Sequence, residues 1–370
     1  MYVGGIQNQL MHLLRNADKK RFQIDFTSTM PDAFYRGEIE NLGGRFLLIP
    51  AMQIRNPLPY CKALYQIMKA GNYDIIHSHE LFHSGIVLVV AKLAGVPSRI
   101  VHAHNWEDRD DPKKPREIMR TFYNSLMQFL ICHFSTAQVA CSMWAANFLY
   151  GKEMAASDNC HLIYNSVDTD KFLNHYSDVE TGEFCKDGWK NVLHVGRVTP
   201  VKNQVFLIRL AEELKKRNRK IRILCAGNGD ECYIQQLTNL IKQKVLGDYI
   251  RFIGVRRDID SLMRKANAFI LPSKFEGMPL VLIEAQAAGL PCLCADTFSP
   301  EVDFELGLIQ WMTLEQGVIA WTDALESTVL KQRAEKKVLS RQFKRKILTQ
   351  RCLHRKLWSY IQRNTWKDVR

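Results

Sequence analysis

Apolar and polar positions along the first half of the chain alternate between a period of two and a period near 3.6. Short apolar runs predict strands, and amphipathic stretches between them predict helices. Strands separated by helices of this length are typical of βαβ units around a parallel sheet. The predicted strands are 22–27, 45–49, 73–77, 99–103 and 138–142, and the predicted helices are 57–70, 84–94 and 115–133.

The same rhythm restarts after a polar stretch at 168–190, which has no apolar period and predicts a linker. We therefore predict an α/β chain of two doubly wound domains facing a cleft, 1–180 and 181–340. A basic helix over 341–370 is expected to pack back on the first domain. In the second half the predicted strands are 191–195, 222–226, 249–253, 268–271 and 291–295, and the predicted helices are 201–217, 231–246, 259–266 and 279–288.

The start of the first domain departs from this rhythm. A nucleotide-binding α/β domain normally opens with a buried strand, followed by a glycine loop and a helix. Here Gly4 and Gly5 lie at the very start, and a helical pattern follows over 6–15. We therefore expect the sheet of the first domain to lack its first strand.

Length and composition fit this organisation. A chain of 370 residues is long enough for two domains, and 46% hydrophobic with 24% charged residues is a globular balance. No run of about 18 apolar residues predicts a membrane span. The ten cysteines form no CxxC pair and join no histidines at zinc spacing, so we expect neither a disulfide framework nor a metal site. Buried strand thiols at Cys292 and Cys294 and a reducing cytoplasm fit better.

The net charge of +13 is concentrated at the C-terminal end, where 331–370 holds 14 basic and two acidic residues. This distribution argues against a uniformly basic nucleic-acid binder. One interpretation is a helix with a solvated basic face. A second, compatible with the first, is that this face attracts anionic lipid at the inner surface of the plasma membrane.

The strongest chemical signal is the segment 275–285, FEGMPLVLIEA. Pro279 suits the first turn of a helix, so the backbone N–H groups near Gly277 and Leu280 would point from a helix N-terminus toward a bound anion. Glu276 precedes that helix and Glu284 lies inside it, and each carboxylate can accept two hydroxyl donors. The alternative is an ordinary capped helix with a surface glutamate.

A second signal lies at the first strand-to-helix turn of the second half. Gly196 permits close approach of the backbone, and Arg197 and Lys202 place two cations beside the same loop. A departing diphosphate needs positive charge, and these residues supply it without a metal. Ordinary surface charges would give the same short string. Its position at the same end of the predicted sheet as the glutamates favours a site.

Together these motifs resemble glycosyltransferase family 4, in order and over nearly the whole chain, and most closely its bacterial members that build capsular or exopolysaccharide units. The set consists of the opening glycines, Gly196-Arg197 with Lys202, the Glu276–Glu284 pair, and the strings at 74–79 (DIIHSH), 165–168 (NSVD) and 226–229 (AGNG). Ser166 replaces a usual glycine, and Met278-Pro279 replaces a more common Phe-Gly pair.

The resemblance implies a GT-B fold of two Rossmann-like domains and a retaining sugar transfer. The donor would be a nucleotide diphosphate sugar, such as a UDP-sugar, and the acceptor a lipid-linked saccharide. No cofactor or metal is expected. No dedicated protein base is expected either, because the leaving phosphate itself helps to deprotonate the acceptor hydroxyl.

The resemblance also implies individual roles. His104, Glu276, Arg197 and Lys202 would act at the reacting centre. Donor binding would involve Gly4, Gly5, Gly196, Arg197, Lys202, Val255, Arg256, Glu276, Gly277, Met278, Pro279, Leu280 and Glu284.

Four histidines need separate treatment. His77 and His79, and His102 and His104, end two strands that should be neighbours. A metal site is one interpretation, but no carboxylate or cysteine joins them at ligand spacing, and histidines at strand ends usually make structural hydrogen bonds. Two further alternatives for the whole chain stay open: a nucleotide-sugar epimerase of the same architecture, and a truncated, non-catalytic remnant.

Overall fold

The computed structural model describes residues 5–31, 34–54, 56–104, 115–164, 171–172 and 188–343. The chain divides into two compact units; the described residues up to 164 belong to the first and those from 171 to 343 to the second. Gly4, the acidic residues of 107–111, the motif at 165–168 and the chain from 344 onward lie outside the described residues. No helix in the described ranges is both long and apolar enough to cross a membrane.

The described strands of the first unit form two parallel sheets rather than one. Strands β1 and β2 pair with each other, and the second sheet has the order β3-β4-β5-β6. The elements in chain order are α1 (Gly5–Asn16), β1 (Phe26–Ser28), α2 (Arg36–Asn41), β2 (Phe46–Leu48), α3 (Leu58–Gly71), β3 (Ile75–Ser78), α4 (Ser84–Ala94), β4 (Ser98–Ala103), α5 (Pro115–Phe134), β5 (Ala137–Ala140), α6 (Met143–Tyr150), α7 (Lys152–Ala155) and β6 (Cys160–Leu162).

Polar contacts link the two sheets of the first unit. Asp25, just before β1, accepts hydrogen bonds from the Tyr73 hydroxyl at 2.7 Å and from the Arg45 Nε at 2.9 Å. Burial alone would raise the pKa of Asp25, but these donors lower it. Met11 and Leu14 of α1 pack with Ile39 in an apolar cluster.

The second unit is a single six-stranded parallel sheet with helices between its strands. The strand order is β9-β8-β7-β10-β11-β12, so that β8 and β9 lie on one side of β7 and β10, β11 and β12 lie on the other. The elements are β7 (Lys190–Val195), α8 (Gln204–Lys216), β8 (Ile221–Ala226), α9 (Glu231–Gln243), β9 (Ile250–Gly254), α10 (Ile259–Lys265), β10 (Ala268–Leu271), α11 (Leu280–Ala287), β11 (Cys292–Ala295), β12 (Ile309–Met312) and α12 (Gly317–Thr328).

The observed elements confirm the predicted α/β architecture, with the bounds shifted by a few residues. Cys292 and Cys294 are fully buried in β11, as predicted. Several elements were missed, notably β12, an edge strand whose side chains are mostly half-exposed, and α12, which buries Thr322 and Thr328.

The chain just after α12 belongs to the second unit. Residues 336–343 are helical, and the Phe343 ring stacks on Phe304 with ring centroids 4.4 Å apart. Leu339 is buried beside Gly289. The predicted helix over 341–370 was expected to pack on the first domain. Residues 341–343, the first three of that range, pack within the second unit, where Phe343 contacts Phe304. The rest of the range lies outside the described residues, and its packing on the first domain stays a prediction.

Candidate functional site

The candidate site lies where the sheet of the second unit reverses its strand order. In open α/β sheets the helices after the two central strands leave toward opposite faces, so a crevice forms at the carboxyl ends of those strands. Here the central strands are β7 and β10, and they pair directly in parallel. The loop with Gly196, Arg197 and Lys202 follows β7, and the loop with Glu276 follows β10.

Lys202 and Glu276 connect these two loops. The Lys202 ammonium donates a charge-assisted hydrogen bond to the Glu276 carboxylate. The two side chains are only 16% and 14% exposed, so solvent screens their attraction weakly. The pair therefore places a cation and a carboxylate at the crevice. The exposed Arg197 adds a second cation on the loop after β7.

Helix α11 begins four residues after Glu276. Pro279 takes the N-cap position with an extended backbone, and the helix starts at Leu280, one residue later than predicted. Proline offers no side-chain acceptor to the first N–H groups of the helix, and these groups favour an anion. Gly277, Met278, Pro279 and Leu280 are buried, so the start of the helix is fixed by packing.

Glu284 lies one turn inside α11 and is half-buried. Burial raises the pKa of its carboxyl to about 7; Lys171 opposes this shift and Asp260 adds to it. Lys171 lies 3.7 Å from Asp260, which also accepts a hydrogen bond from Arg264. A carboxylate held at such an energetic cost, near a crevice, is typical of functional sites.

A buried glutamine, not predicted from the sequence, supports the loop after β7. Gln204, at the start of α8, donates to the Arg197 carbonyl oxygen at 2.9 Å and accepts from the Thr199 N–H at 3.3 Å. Its amide also contacts the His194 ring at 3.2 Å. Burial lowers the pKa of His194 to about 4, so this imidazole is neutral. The signal for this role in the sequence was a polar residue at the start of a helix face that is otherwise apolar.

Further contacts hold the loops of β7, β8 and β10 together. Asn203, in the left-handed region at φ 58°, donates to the Pro272 carbonyl oxygen at 3.1 Å. The Lys274 N–H donates to the Val201 carbonyl oxygen at 2.8 Å. A Cβ atom at Gly227 would lie 2.0 Å from the Gly196 carbonyl oxygen, so only glycine permits this approach of the two loops.

The residues predicted near the nucleotide base follow β9, two strands away from β7. Val255 is 65% exposed. The Arg256 guanidinium donates two hydrogen bonds to Asp258, at 2.8 and 2.6 Å, and this pairing lowers the pKa of the Asp258 carboxyl. Arg256 is thus oriented by its neighbour, at the same carboxyl edge of the sheet as the two central loops.

In the first unit the four histidines come together at the carboxyl ends of β3 and β4. His79 Nδ1 and His104 Nε2 are 2.7 Å apart, a hydrogen-bond distance. Burial lowers the pKa of His104 to about 3 and holds that of His79 well below its usual value. Both rings are therefore neutral, and each fixes the tautomer of the other. Of the two opening glycines, Gly5 begins α1.

Three of these histidines offer a metal ion ring nitrogens that lie within 4.8 Å of one another, namely His77, His79 and His102. The His77 and His102 rings are nearly parallel, at 5° with centroids 5.3 Å apart. In-plane lone pairs of parallel rings do not converge on one point, as the roughly 2 Å Zn–N bonds of a zinc site require. This arrangement favours ring packing over metal binding.

Comparison with known proteins shows the family to which this chain belongs. Residues 183–340 match the family described as Glycosyl transferases group 1, and residues 3–171 match Glycosyltransferase Family 4. The Bacillus subtilis protein EpsF is 32% identical over 332 residues, which are 88% of this chain and 84% of EpsF. The chain belongs to glycosyltransferase family 4. It is therefore a transferase, as its motifs predicted.

More distant similarities support the same assignment. A Staphylococcus aureus capsular polysaccharide biosynthesis glycosyltransferase, CapH, is 28% identical over 67% of this chain and 65% of its own. An Escherichia coli UDP-Gal:α-D-GlcNAc-diphosphoundecaprenol α-1,3-galactosyltransferase is 28% identical over 63% of this chain and 60% of its own.

Solved structures confirm the predicted fold class. A Rickettsia africae glycosyltransferase superposes with a TM-score of 0.73 at 17% identity, covering all of this chain and 97% of its own. Anabaena HepE, solved with UDP and glucose, superposes with a TM-score of 0.68 at 18% identity, covering 93% of this chain and 96% of its own. The protein has the GT-B type of fold, built from two Rossmann-like units.

Proposed function

We propose that this protein transfers a hexose or N-acetylhexosamine, with retention of anomeric configuration, from a UDP-sugar to a lipid-linked saccharide in surface polysaccharide biosynthesis. The observation that carries the proposal is the Lys202–Glu276 pair across the β7–β10 crevice, beside an α11 N-terminus without a side-chain cap. Cations and helix N–H groups at one point favour a diphosphate.

The roles of the residues follow from their chemistry. Lys202 and Arg197 stabilise the negative charge that develops on the diphosphate as the bond between the anomeric carbon and the phosphate oxygen breaks. Glu276 accepts hydrogen bonds from hydroxyls of the transferred sugar. Glu284 accepts hydrogen bonds from both hydroxyls of the ribose. The proton of the acceptor hydroxyl passes to the leaving phosphate, so the proposed reaction needs neither a protein base nor a metal.

The first unit contributes His104 in this proposal. Because its ring is neutral and hydrogen-bonded to His79, His104 offers the reacting sugar an uncharged donor or acceptor. The opening glycines Gly4 and Gly5 approach the donor phosphate, and Val255 and Arg256 lie near the base.

The relatives support the choice of substrates. The E. coli relative is named for a UDP-galactose donor and a diphosphoundecaprenol-linked acceptor, and CapH for capsular polysaccharide. HepE was solved with UDP-glucose. A lipid-linked acceptor would place the enzyme at the inner face of the plasma membrane. The basic residues of 331–370 would then attract anionic lipid there.

A donor screen tests the proposal. UDP-sugars are expected to raise the melting temperature of the full chain, because a ligand that binds only the native state stabilises it. With a lipid-diphosphate sugar acceptor, the product should carry the anomeric configuration of the donor, as nuclear magnetic resonance would show. An altered donor sugar without acceptor would indicate an epimerase instead. No shift and no product with any nucleotide sugar would favour a non-catalytic remnant.

A further inference from the structure

A buried relay of hydrogen bonds runs from strand β10 to the loop after β7, through the side chains of His194 and Gln204. Both side chains are completely buried. The His194 Nδ1 lies 3.0 Å from the Ile270 carbonyl oxygen in β10. A carbonyl oxygen can only accept, so this ring nitrogen carries the hydrogen. Because burial keeps the ring neutral, the other ring nitrogen, Nε2, is an acceptor.

The tautomer of His194 determines the orientation of the Gln204 amide. The Gln204 Nε2 lies 3.2 Å from the His194 Nε2 and 2.9 Å from the Arg197 carbonyl oxygen. Both of these atoms are acceptors, so each takes one N–H of the amide. The Gln204 Oε1 then accepts from the Thr199 N–H at 3.3 Å. A flipped amide would place its oxygen against two acceptors, so the relay has a single arrangement.

The relay holds the loop after β7 at two of its backbone groups. The residue between them, Val198, donates its N–H to the Asn228 carbonyl oxygen at 2.9 Å and pairs with Gly229 in an isolated parallel bridge. The loop that follows β8 therefore binds Val198, and Gln204 binds the residues on either side of it. A buried backbone group that loses its partner is costly, so removing Gln204 should let this loop shift.

Both cations of the crevice depend on this loop. The carbonyl oxygen that Gln204 binds belongs to Arg197 itself. The Lys202 N–H donates to the Thr199 carbonyl oxygen at 3.1 Å, and a Cβ atom at Gly196 would lie 3.2 Å from the Lys202 Cε. The lysine stem thus passes directly over the start of the loop. A shift of the loop moves both cations, and a misplacement of about 1 Å at a reacting centre can lower a rate about 100-fold.

We propose that Gln204, oriented by His194, is a positioning residue that gives the crevice its preference for a diphosphate over a monophosphate. It sets the reach of Arg197 and Lys202 through the backbone that it binds. Gln204 itself is fully buried and touches neither the donor nor the reacting atoms. This inference rests on the proposed function, in which the donor diphosphate lies at these two cations.

Calorimetric titration of the full chain with UDP and with UMP tests this role. Gln204→Met keeps the length of the side chain and removes its two donors and its acceptor. UDP should bind about tenfold or more weakly, because displaced cations no longer fit both phosphates. UMP has no second phosphate and should lose less than about threefold in affinity. The ratio of the two affinities, rather than either value alone, is the measure of positioning.

Gln286 of α11 provides a matched control. It is also a fully buried glutamine. Its amide donates to the Leu282 and Val302 carbonyl oxygens, at 3.1 and 2.9 Å, and accepts from the Phe304 N–H at 2.9 Å. Gln286→Met removes the same kinds of buried hydrogen bond and should lower the midpoint of chemical denaturation to a similar extent. It should leave the ratio of UDP to UMP affinity unchanged.

The outcomes separate this inference from the donor site itself. Wild-type protein that binds UDP no more tightly than UMP would overturn both. A wild-type preference for UDP that persists in Gln204→Met would overturn the positioning role alone. An equal loss of the ratio in Gln286→Met would also overturn it, because general destabilisation would then explain the effect.

A second substitution keeps the test decisive if Gln204→Met does not fold. Gln204→Glu preserves the shape of the side chain and the acceptor for the Thr199 N–H. A carboxyl group has at most one hydrogen to donate, so it cannot serve both the His194 ring and the Arg197 carbonyl oxygen. This variant should also lose the preference for UDP, and a preference equal to that of the wild type would contradict the proposal.

Discussion

Replacing Lys202 by alanine is expected to lower kcat/KM for the sugar donor by about 100-fold or more, the usual effect of losing one charge that stabilises a transition state. Lys202 lies at the β7–β10 crevice and pairs with Glu276. Without the lysine, the developing diphosphate charge loses its cation, and Glu276 becomes a poorly solvated carboxylate without its partner. Steady-state kinetics with a UDP-sugar and a lipid-linked acceptor measure the effect.

Lys274 provides the matched control for this variant. It lies two residues before Glu276, on the same loop, and its side chain is exposed. Lys274→Ala removes the same charge from the same end of the sheet, yet should change kcat/KM by less than about threefold, because an exposed charge is screened. Equal, small effects of both substitutions would show that general electrostatic attraction, rather than a placed cation, accounts for donor binding.

Replacing Glu284 by glutamine should have opposite effects on stability and on binding. The ligand-free variant should gain about 1–3 kcal/mol in free energy of unfolding near pH 8, because glutamine fills the space without a buried charge. UDP binding should weaken about tenfold or more, since a neutral amide accepts hydrogen bonds from the ribose hydroxyls less strongly than a carboxylate does. Chemical denaturation and calorimetric titration measure the two changes. Glu315→Gln, on the surface, serves as the control.

The raised pKa of Glu284 determines the direction in which stability and donor affinity change with pH. The pKa of Glu284 is raised from 4.5 to about 7, so between these values the folded protein binds more protons than the unfolded chain. Its contribution to the free energy of unfolding therefore falls as pH rises through that window and is constant above it. Donor affinity should rise over the same range as the carboxylate forms. A Glu284→Gln variant with unchanged UDP affinity at every pH would remove Glu284 from the site.

The strands β7 to β11 and the helices between them were predictable because their apolar periods are strong, and glycine or proline ends β7 to β10. The crevice was predictable in outline, since parallel strands bring the segments after β7 and β10 to one edge. The role of Gln204 was not predictable, because it depends on a buried position reached only when α8 packs against β7 and its loop. A polar residue in an apolar helix face indicates burial but does not identify the partner.

The first unit was harder to predict. Two adjacent sheets cannot be distinguished from one by periodicity alone, since each strand has the same alternation. The clustering of His77, His79, His102 and His104 followed from strand order, whereas the 2.7 Å contact between His79 and His104 depends on side-chain rotamers.

The central claim is that a nucleotide diphosphate binds at the β7–β10 crevice of the second unit. Hydrogen–deuterium exchange of the full chain, with and without UDP, tests it most directly, because it locates backbone amides that a ligand protects. We predict slower exchange in 196–204 and 276–288, and loss of that protection in Lys202→Ala at the same UDP concentration. Protection confined to other segments, or none at saturating UDP, would contradict the account.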